Sequence, residues 1–518
     1  MYIEPRTNVR LLHNVPLENT YDHTLYFADR TNQYNYFANL TKKNCVNYTY
    51  QRVNKGSLRV DGKADNYYDC NYMMFQNTSF GDKWFYAFIN SVEYINNETT
   101  EIQFEIDVIQ TWLFDTHVEE CFIERQHSSS DAIGDNIVPE TLSTGEYVFN
   151  NYDPVMLMND MCVVLAIVDV DGESSGTLYD GVYGGATLYV YDSTDVNGID
   201  DKIQEYVQKP DSIISMYMLP KCLIGNIPET HILPYNANGR IFNQVLTAVT
   251  KNDTLDGYLP KNAKMYTYPY NFYHVDNASG SDLALRYEFF ENLQPVVQIS
   301  GTVTQPVCLT LRPASYKGLT YSQLGGYNTL NTEIIQLNSY PMCSWNVDAY
   351  KAWVAQNSLP IALNTISQIG QMGIASAYST NPKASIISGS IGMVSNLLGQ
   401  FYQASVQADI SKGNYNNGGV NSAIGKQQFY GGRCSVSRQY AKMIDDYFTM
   451  YGYAVKSIGR VNTHARPHWS YVKTVGCVIT GSIPTDDSKK IISIYDNGIT
   501  FWKNGNEVGN YELDNSLS

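Results

Sequence analysis

His464 and His468 stand four residues apart, the spacing at which a helix would aim two imidazoles at one metal ion. Pro467 lies between them and no carboxylate or cysteine sits at a companion spacing, so the pair reads as surface or hydrogen-bonded histidines. Asp169, Asp171 and Gly172 are similar to part of a calcium loop, but the third acidic ligand and the distant bidentate glutamate are misplaced, and a turn explains them. Glu119-Glu120 and Asp445-Asp446 are ordinary solvated charges unless a cleft brings them to bear on something. Gly184-Gly185 and Gly418-Gly419 do not open a helix after a strand, as a phosphate cradle requires. The chain has no G-x-S-x-G elbow, P-loop or dinucleotide fingerprint. Glycan hydrolysis needs only two carboxyl groups about 5–9 Å apart, so 51 acidic residues leave that chemistry open without pointing to it. The expectation is a non-enzyme with no catalytic, cofactor-binding or metal-ligating residue and no cofactor.

Nine cysteines (Cys45, Cys70, Cys121, Cys162, Cys222, Cys308, Cys343, Cys434, Cys477) are odd in number, scattered and never in a C-x-x-C pattern. Buried free thiols are the expectation, rather than a disulfide framework or a zinc site. The start, MYIEPRTNVR, lacks a basic stretch followed by an apolar run, which predicts synthesis in a reducing cytoplasm without a secretory signal.

A chain of 518 residues predicts about three domains, and a 43% hydrophobic content excludes disorder. Charged residues make up only 17%, against about 25% in ordinary proteins, and their net is −16. Forty-three tyrosines, with frequent asparagine and threonine, must dress the surface instead, and tyrosine and threonine favour strands. No block of lysine and arginine is available to neutralise phosphates, so stable nucleic-acid binding is disfavoured.

The elements follow from patterning. Residues 1–150 read as short strands, with Glu101 to Val108 the clearest, because Ile102, Phe104, Ile106 and Val108 alternate with polar residues. Asp61-Gly62, Gly81-Asp82 and Asn96-Asn97 mark turns, giving a sheet sandwich or barrel. Residues 151–339 form a second β-rich domain with long loops; it opens with the apolar run Cys162 to Val168, a strand buried on both faces, and holds a helix near Asp201 to Gln208. Residues 340–439 carry an apolar segment, and 440–518 return to strands that complete the tube domains. In the last part, Asp496-Asn497-Gly498 between β-prone runs predicts a hairpin across Ile491 to Trp502. The fold class is mainly β and multidomain, with barrel or sandwich tube-forming domains and an inserted apolar, largely helical or irregular segment.

That segment is the sharpest compositional departure. Ala352 to Ala408 would carry about ten charges at the chain average, yet Lys383 is the only one. Asn381-Pro382-Lys383 divides it into two apolar stretches that draw naturally as a helical hairpin. Ser388, Gly392, Ser395 and Gly399 put small residues on one helix face, and Gly373 and Ala377 do so in the first stretch. The membrane-active candidates are Ile361, Leu363, Ile366, Ile369, Gly373, Ile386, Ile391, Gly392, Leu397, Leu398 and Gly399, with Pro382 and Lys383 at the turn. Gln368, Gln371, Asn396 and Gln400 fit a bundle or pore better than isolated spanning helices, because amides facing lipid are costly. The competing reading is an ordinary core hairpin or a plug.

Blocks spread along the chain carry a family resemblance. They are Gln110 to Asp115, Phe122 to Arg125 with His127, Pro139-Glu140 and Gly145 to Tyr147. Then come Leu255 to Asn262 running into Thr267 to Tyr270, Ser344 to Lys351 with Ala355 to Asn357, and Ile444 to Phe448 with Tyr451 to Tyr453. Ile483-Pro484 and Asn497 to Trp502 close the series. In this order they resemble the tail-knob, or distal tail-tube, proteins of small short-tailed bacteriophages with protein-primed linear DNA. The resemblance implies a homo-hexameric tube of β-barrel-like domains at the tail tip, through which DNA passes without stable binding. It also implies contacts with other tail proteins (collar or connector, receptor-binding appendages) and a place in the virion tail after assembly in the host cytoplasm, while contact with the host membrane during infection is the expectation from the apolar segment. Residues such as Trp112, Trp345, Asp256 and Gly257 read as holding turns and cores together rather than reacting.

The leading function is therefore a structural tail-tip tube that conducts DNA and breaches the host membrane through its apolar segment. The alternatives are a tail-borne glycan hydrolase and a receptor-binding tail protein whose tyrosines and asparagines recognise surface glycans. No short-period repeat of a β-helical tailspike is visible, which lowers both.

Overall fold

The computed structural model describes residues 6–48, 56–155, 161–168, 186–192, 194–206, 212–233, 245–248, 250–277, 280–301, 307–317, 333–337, 342–344 and 428–517. Strand dominates over helix, and the chain folds as two compact units. The first is discontinuous, made of Met1–Gly145, Gly257–Thr267 and Ser437–Ser518; the second takes Glu146–Asp256 and Tyr268–Val436.

The first unit contains a six-stranded antiparallel sheet in the spatial order Thr41–Tyr48, Thr7–His13, Cys70–Gln76, Phe85–Asn96, Thr99–Ile106, Ser57–Asp61. The predicted strand at Glu101 is present, with Ile102 and Phe104 in the core. It ends at Ile106, because the buried Asp107 caps the helix Val108–Trp112 by accepting the Gln110 N–H at 3.0 Å. Asn96 closes the hairpin ahead of it by accepting the Glu98 N–H at 2.8 Å. A five-stranded sheet interleaves the two ends of the chain: His23–Leu25, Ile499–Trp502, Trp469–Val475, Cys121–Gln126, Tyr453–Gly459. Trp469 and Trp502 meet inside it with ring centroids 4.9 Å apart, both fully buried.

The hairpin expected across Ile491 to Trp502 is not formed. Thr485–Asn497 is a helix, and only Ile499–Trp502 is a strand. Ile491, Ile494 and Tyr495 recur at helical spacing on the buried face, while Asp486 and Asp487 favour the positive end of the helix dipole. Gly498 ends the helix at φ 96°, so the Asp-Asn-Gly run marks a helix stop rather than a strand reversal.

Among the described residues, the second unit holds three four-stranded sheets. One runs Thr187–Asp192, Met161–Ile167, Ile213–Pro220, Met342–Ser344, and in it Cys162, Val163, Val164, Leu165 and Ala166 are all fully buried, as a strand covered on both faces requires. Another runs Val245–Ala248, Val296–Gly301, Leu309–Ala314, Ile335–Leu337. The third runs Tyr147–Pro154, Tyr430–Val436, Asn271–Asp276, Asp282–Leu285. The helix expected from Asp201 spans Val196–Glu205, starting a turn earlier. Cys45, Cys70, Cys121, Cys162, Cys434 and Cys477 are buried free thiols and Cys308 is partly covered; burial pushes Cys70, Cys434 and Cys477 up to about 11.

Candidate functional site

The helix Arg438–Tyr451 turns Ala441, Ile444, Asp445 and Phe448 inward, spacings of three, one and three that trace one helical stripe. Asp445 is thus an acid on an apolar face, and it is fully buried. Its carboxylate accepts the Lys261 N–H at 2.7 Å and the Tyr258 hydroxyl at 2.9 Å on one oxygen. The other oxygen accepts the Asn262 N–H at 3.1 Å and its side-chain amide at 2.8 Å. Burial still pushes the Asp445 carboxyl above its ordinary value, although these donors favour its charged form. The reading of Asp445-Asp446 as a pair of ordinary solvated charges is therefore wrong for Asp445, because helical periodicity carries it inside.

The segment that Asp445 holds, Gly257–Thr267, reaches a second anchor. The Lys264 ammonium donates to Glu140 at 2.6 Å and to the Val138 carbonyl at 2.8 Å, with the two charged side chains 3% and 1% exposed. Arg125 pairs with the other Glu140 oxygen and donates to the Gly452 carbonyl at 2.6 Å. Glu140 also accepts the Ala454 N–H at 2.9 Å. Desolvation lowers the Lys264 ammonium from its ordinary range, and Glu140 opposes that. Gly452 is obligatory here: its φ is 66°, and a Cβ would lie 2.4 Å from the Gln126 carbonyl.

A third anchor surrounds His127. Its Nδ1 accepts the Tyr471 N–H at 2.8 Å, so Nε2 carries the proton and donates to the Thr449 carbonyl at 3.1 Å. Trp469 Nε1 donates to the same carbonyl at 3.0 Å. Burial and the nearby Arg466 push His127 down to about 3, leaving it neutral. Asp131 accepts the Tyr453 hydroxyl at 2.6 Å and faces Arg466 at 3.3 Å. Beside these groups, His127, Asn262, Thr449 and Arg466 help line a cavity of about 10 Å³, room for roughly one water.

The arrangement is a polar clasp that fastens three separated stretches of chain. Its carboxylates are saturated by fixed donors and its cavity is too small for a substrate, so it holds rather than reacts. Arg125, His127, Glu140, Tyr258, Asn262, Asp445 and Tyr453, scattered over the sequence blocks, meet here. Sequence reasoning missed Asp131, Lys264 and Arg466. Lys264, two residues past the Leu255 to Asn262 block, and Arg466, between His464 and His468, had neighbouring signals, and Asp131 had none.

Trp112 has the structural role expected of it, 7% exposed with Nε1 donating to Asp487 at 2.8 Å. His464 stacks on Tyr26 at 5.1 Å and His468 bonds Glu507 at 2.8 Å, so the two imidazoles serve different partners. Glu119 accepts the Thr480 hydroxyl at 2.7 Å, and Glu120 lies 3.5 Å from Arg460. Ile361, Leu363, Ile366, Ile369, Gly373, Pro382, Lys383, Ile386, Ile391, Gly392, Leu397, Leu398 and Gly399 lie outside the described residues, as do Trp345, Asp169, Asp171, Gly172, Gly184-Gly185 and Gly418-Gly419. Among the described residues, no helix is long and apolar enough to cross a membrane.

Comparison with known proteins places these observations. A family model described as Bacillus phage phi29, tail knob protein gp9, C-terminal domain, matches residues 238–516. Another, caudoviral major tail protein N-terminus, matches residues 5–117. The chain is 28% identical to tail knob protein gp9 of Bacillus phage PZA and 27% identical to that of Bacillus phage phi29, in each case over 99% of this chain and 98% of the relative. It is similar in structure to the bacteriophage C1 tail knob protein gp12, with a TM-score of 0.58 at 13% identity, over 97% of this chain and 98% of that one. At that identity the structural likeness speaks for the fold alone.

Proposed function

The chain belongs to the family of the phi29 tail knob protein gp9, and from that premise we propose that it closes into a ring of identical copies, conducts DNA, and breaches the host membrane with residues 352–408. It is a structural component of the tail knob of a short-tailed phage. The observation that carries the reading is the end-to-end match to tail knob proteins. The relatives are named for a structural role, which supports a non-enzyme.

Closure into a ring, six copies in the reading given by the resemblance, is supported by the β-rich build, since sheet edges need pairing and a ring leaves no free end. Membrane penetration is supported by composition: one charge, Lys383, in 57 residues, and two apolar stretches near the ~20 residues a helix needs to cross a ~30 Å hydrocarbon layer. Gly392 and Gly399 allow close packing, and the amides of Gln368, Gln371, Asn396 and Gln400 can pair across helices or face water in a pore. Replacing Ile391 and Leu398 together with Asp separates the readings. Rings seen by negative stain, with liposome leakage and genome delivery abolished, support the proposal. Collapse of assembly makes the segment a core, and intact delivery removes membrane insertion.

A further inference from the structure

We propose that the exposed face of the sheet built from Tyr147–Pro154, Tyr430–Val436, Asn271–Asp276 and Asp282–Leu285 is a binding platform for a neutral polysaccharide. Strand alternation puts Tyr147 and Phe149 on this face. A register shift between Phe149 and Asn151, where one extra residue bulges, returns Tyr152 to the same side. Tyr147, Phe149 and Tyr152 are 40%, 46% and 47% exposed, an unusual outlay of large rings on one strand.

The rings form two groups along the face, the first resting on the buried Phe272. Tyr268 meets Phe272 at 5.5 Å and Phe272 meets Tyr147 at 5.3 Å. Farther along, Phe149 touches His274 at 5.3 Å and Tyr152 at 5.7 Å, and Tyr152 stacks on Tyr430 at 5.5 Å with planes 10° apart. Gly432, opposite both Tyr152 and His274, is the floor. A Cβ there would lie 2.7 Å from Phe149, 2.8 Å from the Asn151 carbonyl and 3.1 Å from Tyr152, so the missing side chain lets both rings and the bulged strand lie down on the backbone. From Val436 to Tyr430 the two groups together span about 20 Å, the length of several sugar rings in a row.

The polar groups on this face select the ligand. Asp276 accepts the Tyr152 hydroxyl, and His274 lies 3.6 Å from Asp276 and 3.9 Å from Asp282. Arg286 covers the Tyr268 ring at 4.4 Å. A phosphate polymer would meet these carboxylates without a row of cations to neutralise it. A core between protein copies would be depleted of charge, whereas here the rings are interleaved with His274, Asp276 and Asp282. A sugar ring answers both halves of the pattern. Its C–H face packs on an aromatic ring while its edge hydroxyls hydrogen-bond to carboxylate and imidazole.

The test uses the full chain and three probes, cellohexaose, chitohexaose and maltoheptaose, titrated by calorimetry, with circular dichroism and mass photometry on every variant. Saturable binding of at least one probe is expected. Phe149→Ala and Tyr152→Ala should each weaken it about tenfold, and Phe149→Tyr should keep it within about twofold. Gly432→Ala keeps every ring but lifts two of them, and it should weaken binding as the ring deletions do. No binding of any probe by the unaltered chain, or binding indifferent to both ring deletions, overturns the proposal. Loss of oligomer mass in a folded Phe149→Ala, Tyr152→Ala double variant overturns it too, because the face would then join copies of this chain.

Discussion

Asp445 and Asp446 are adjacent and chemically identical, yet one is fully buried against four donors and the other is only half-buried. Asp445→Ala would leave the Lys261 and Asn262 N–H groups and the Tyr258 hydroxyl facing an empty site, at a cost of roughly 3–5 kcal/mol. Asp446→Ala should stay within about 0.5 kcal/mol. Urea unfolding of the two variants checks the contrast, and equal costs would remove the clasp as a stabilising centre. That contrast was partly legible, since the stripe Ala441, Ile444, Phe448 already passes through position 445; an isolated acidic pair, weighed without the helix, hides it. The clasp's other half was not legible, because nothing local ties Lys264 to Glu140 across more than a hundred residues. Two buried groups also set opposing pH dependences. Asp107 is raised to about 6 by burial, so its contribution is fully present below its ordinary 3.8 and is lost as pH rises through 6, roughly 3 kcal/mol in all. His127 is lowered to about 3, so its contribution is present above its ordinary 6.5 and is lost as pH falls toward 3, roughly 5 kcal/mol. Between about pH 4 and 6 the two nearly cancel. Asp107→Asn removes one side, and its melting temperature should fall more steeply than that of the unaltered chain on acidification from pH 6 to 4; parallel curves would show that Asp107 carries no such shift.

Among the elements, the strands Thr99–Ile106 and Met161–Ile167 could be read directly, one from alternation and the other from an uninterrupted apolar run. The helix Thr485–Asn497 could not, because Ile491, Ile492, Ile494 and Tyr495 are as β-prone as they are helix-compatible, and Asp-Asn-Gly serves a hairpin turn and a helix stop equally well. Tertiary contacts decide it. Asp496 accepts the Thr474 hydroxyl at 2.8 Å and the Gly476 N–H at 3.0 Å, which ties the helix end to the loop after Trp469–Val475. At Gly498 a Cβ would lie 2.0 Å from the Tyr471 hydroxyl, and φ is already 96°. Gly498→Ala should therefore cost about 2–3 kcal/mol, from strain and overlap together. Tyr471→Phe removes the overlapping oxygen and should return about 1 kcal/mol in the double variant. Additive costs in that cycle would place the whole penalty in the backbone angle.

For the molecule as a whole, the first unit takes strands from both ends of the chain, with His23–Leu25 lying parallel to Ile499–Trp502, so the N-terminal part is unfinished until the last segment is made. No composition window reveals that exchange, because domain boundaries read along a sequence assume contiguous pieces. Charge, by contrast, is a property of the whole that composition reads well. The net of −16 comes with ion pairs that already engage many of the cations, including Arg125 and Lys264 around Glu140, Arg466 with Asp131, and Lys490 with Glu105. A DNA binder gains affinity by releasing counterions to a run of lysine and arginine, and that gain falls steeply with salt. A conduit needs the reverse, a wall that phosphate does not adhere to. The assembled protein is therefore expected not to retard a duplex of about 30 base pairs at ~150 mM salt, and to show only weak association at ~50 mM. Fluorescence anisotropy across that range decides the point. Tight binding at ~150 mM salt whose affinity drops by orders of magnitude as salt rises would mean that a cationic surface meets the DNA, and the passive conduit would have to be abandoned.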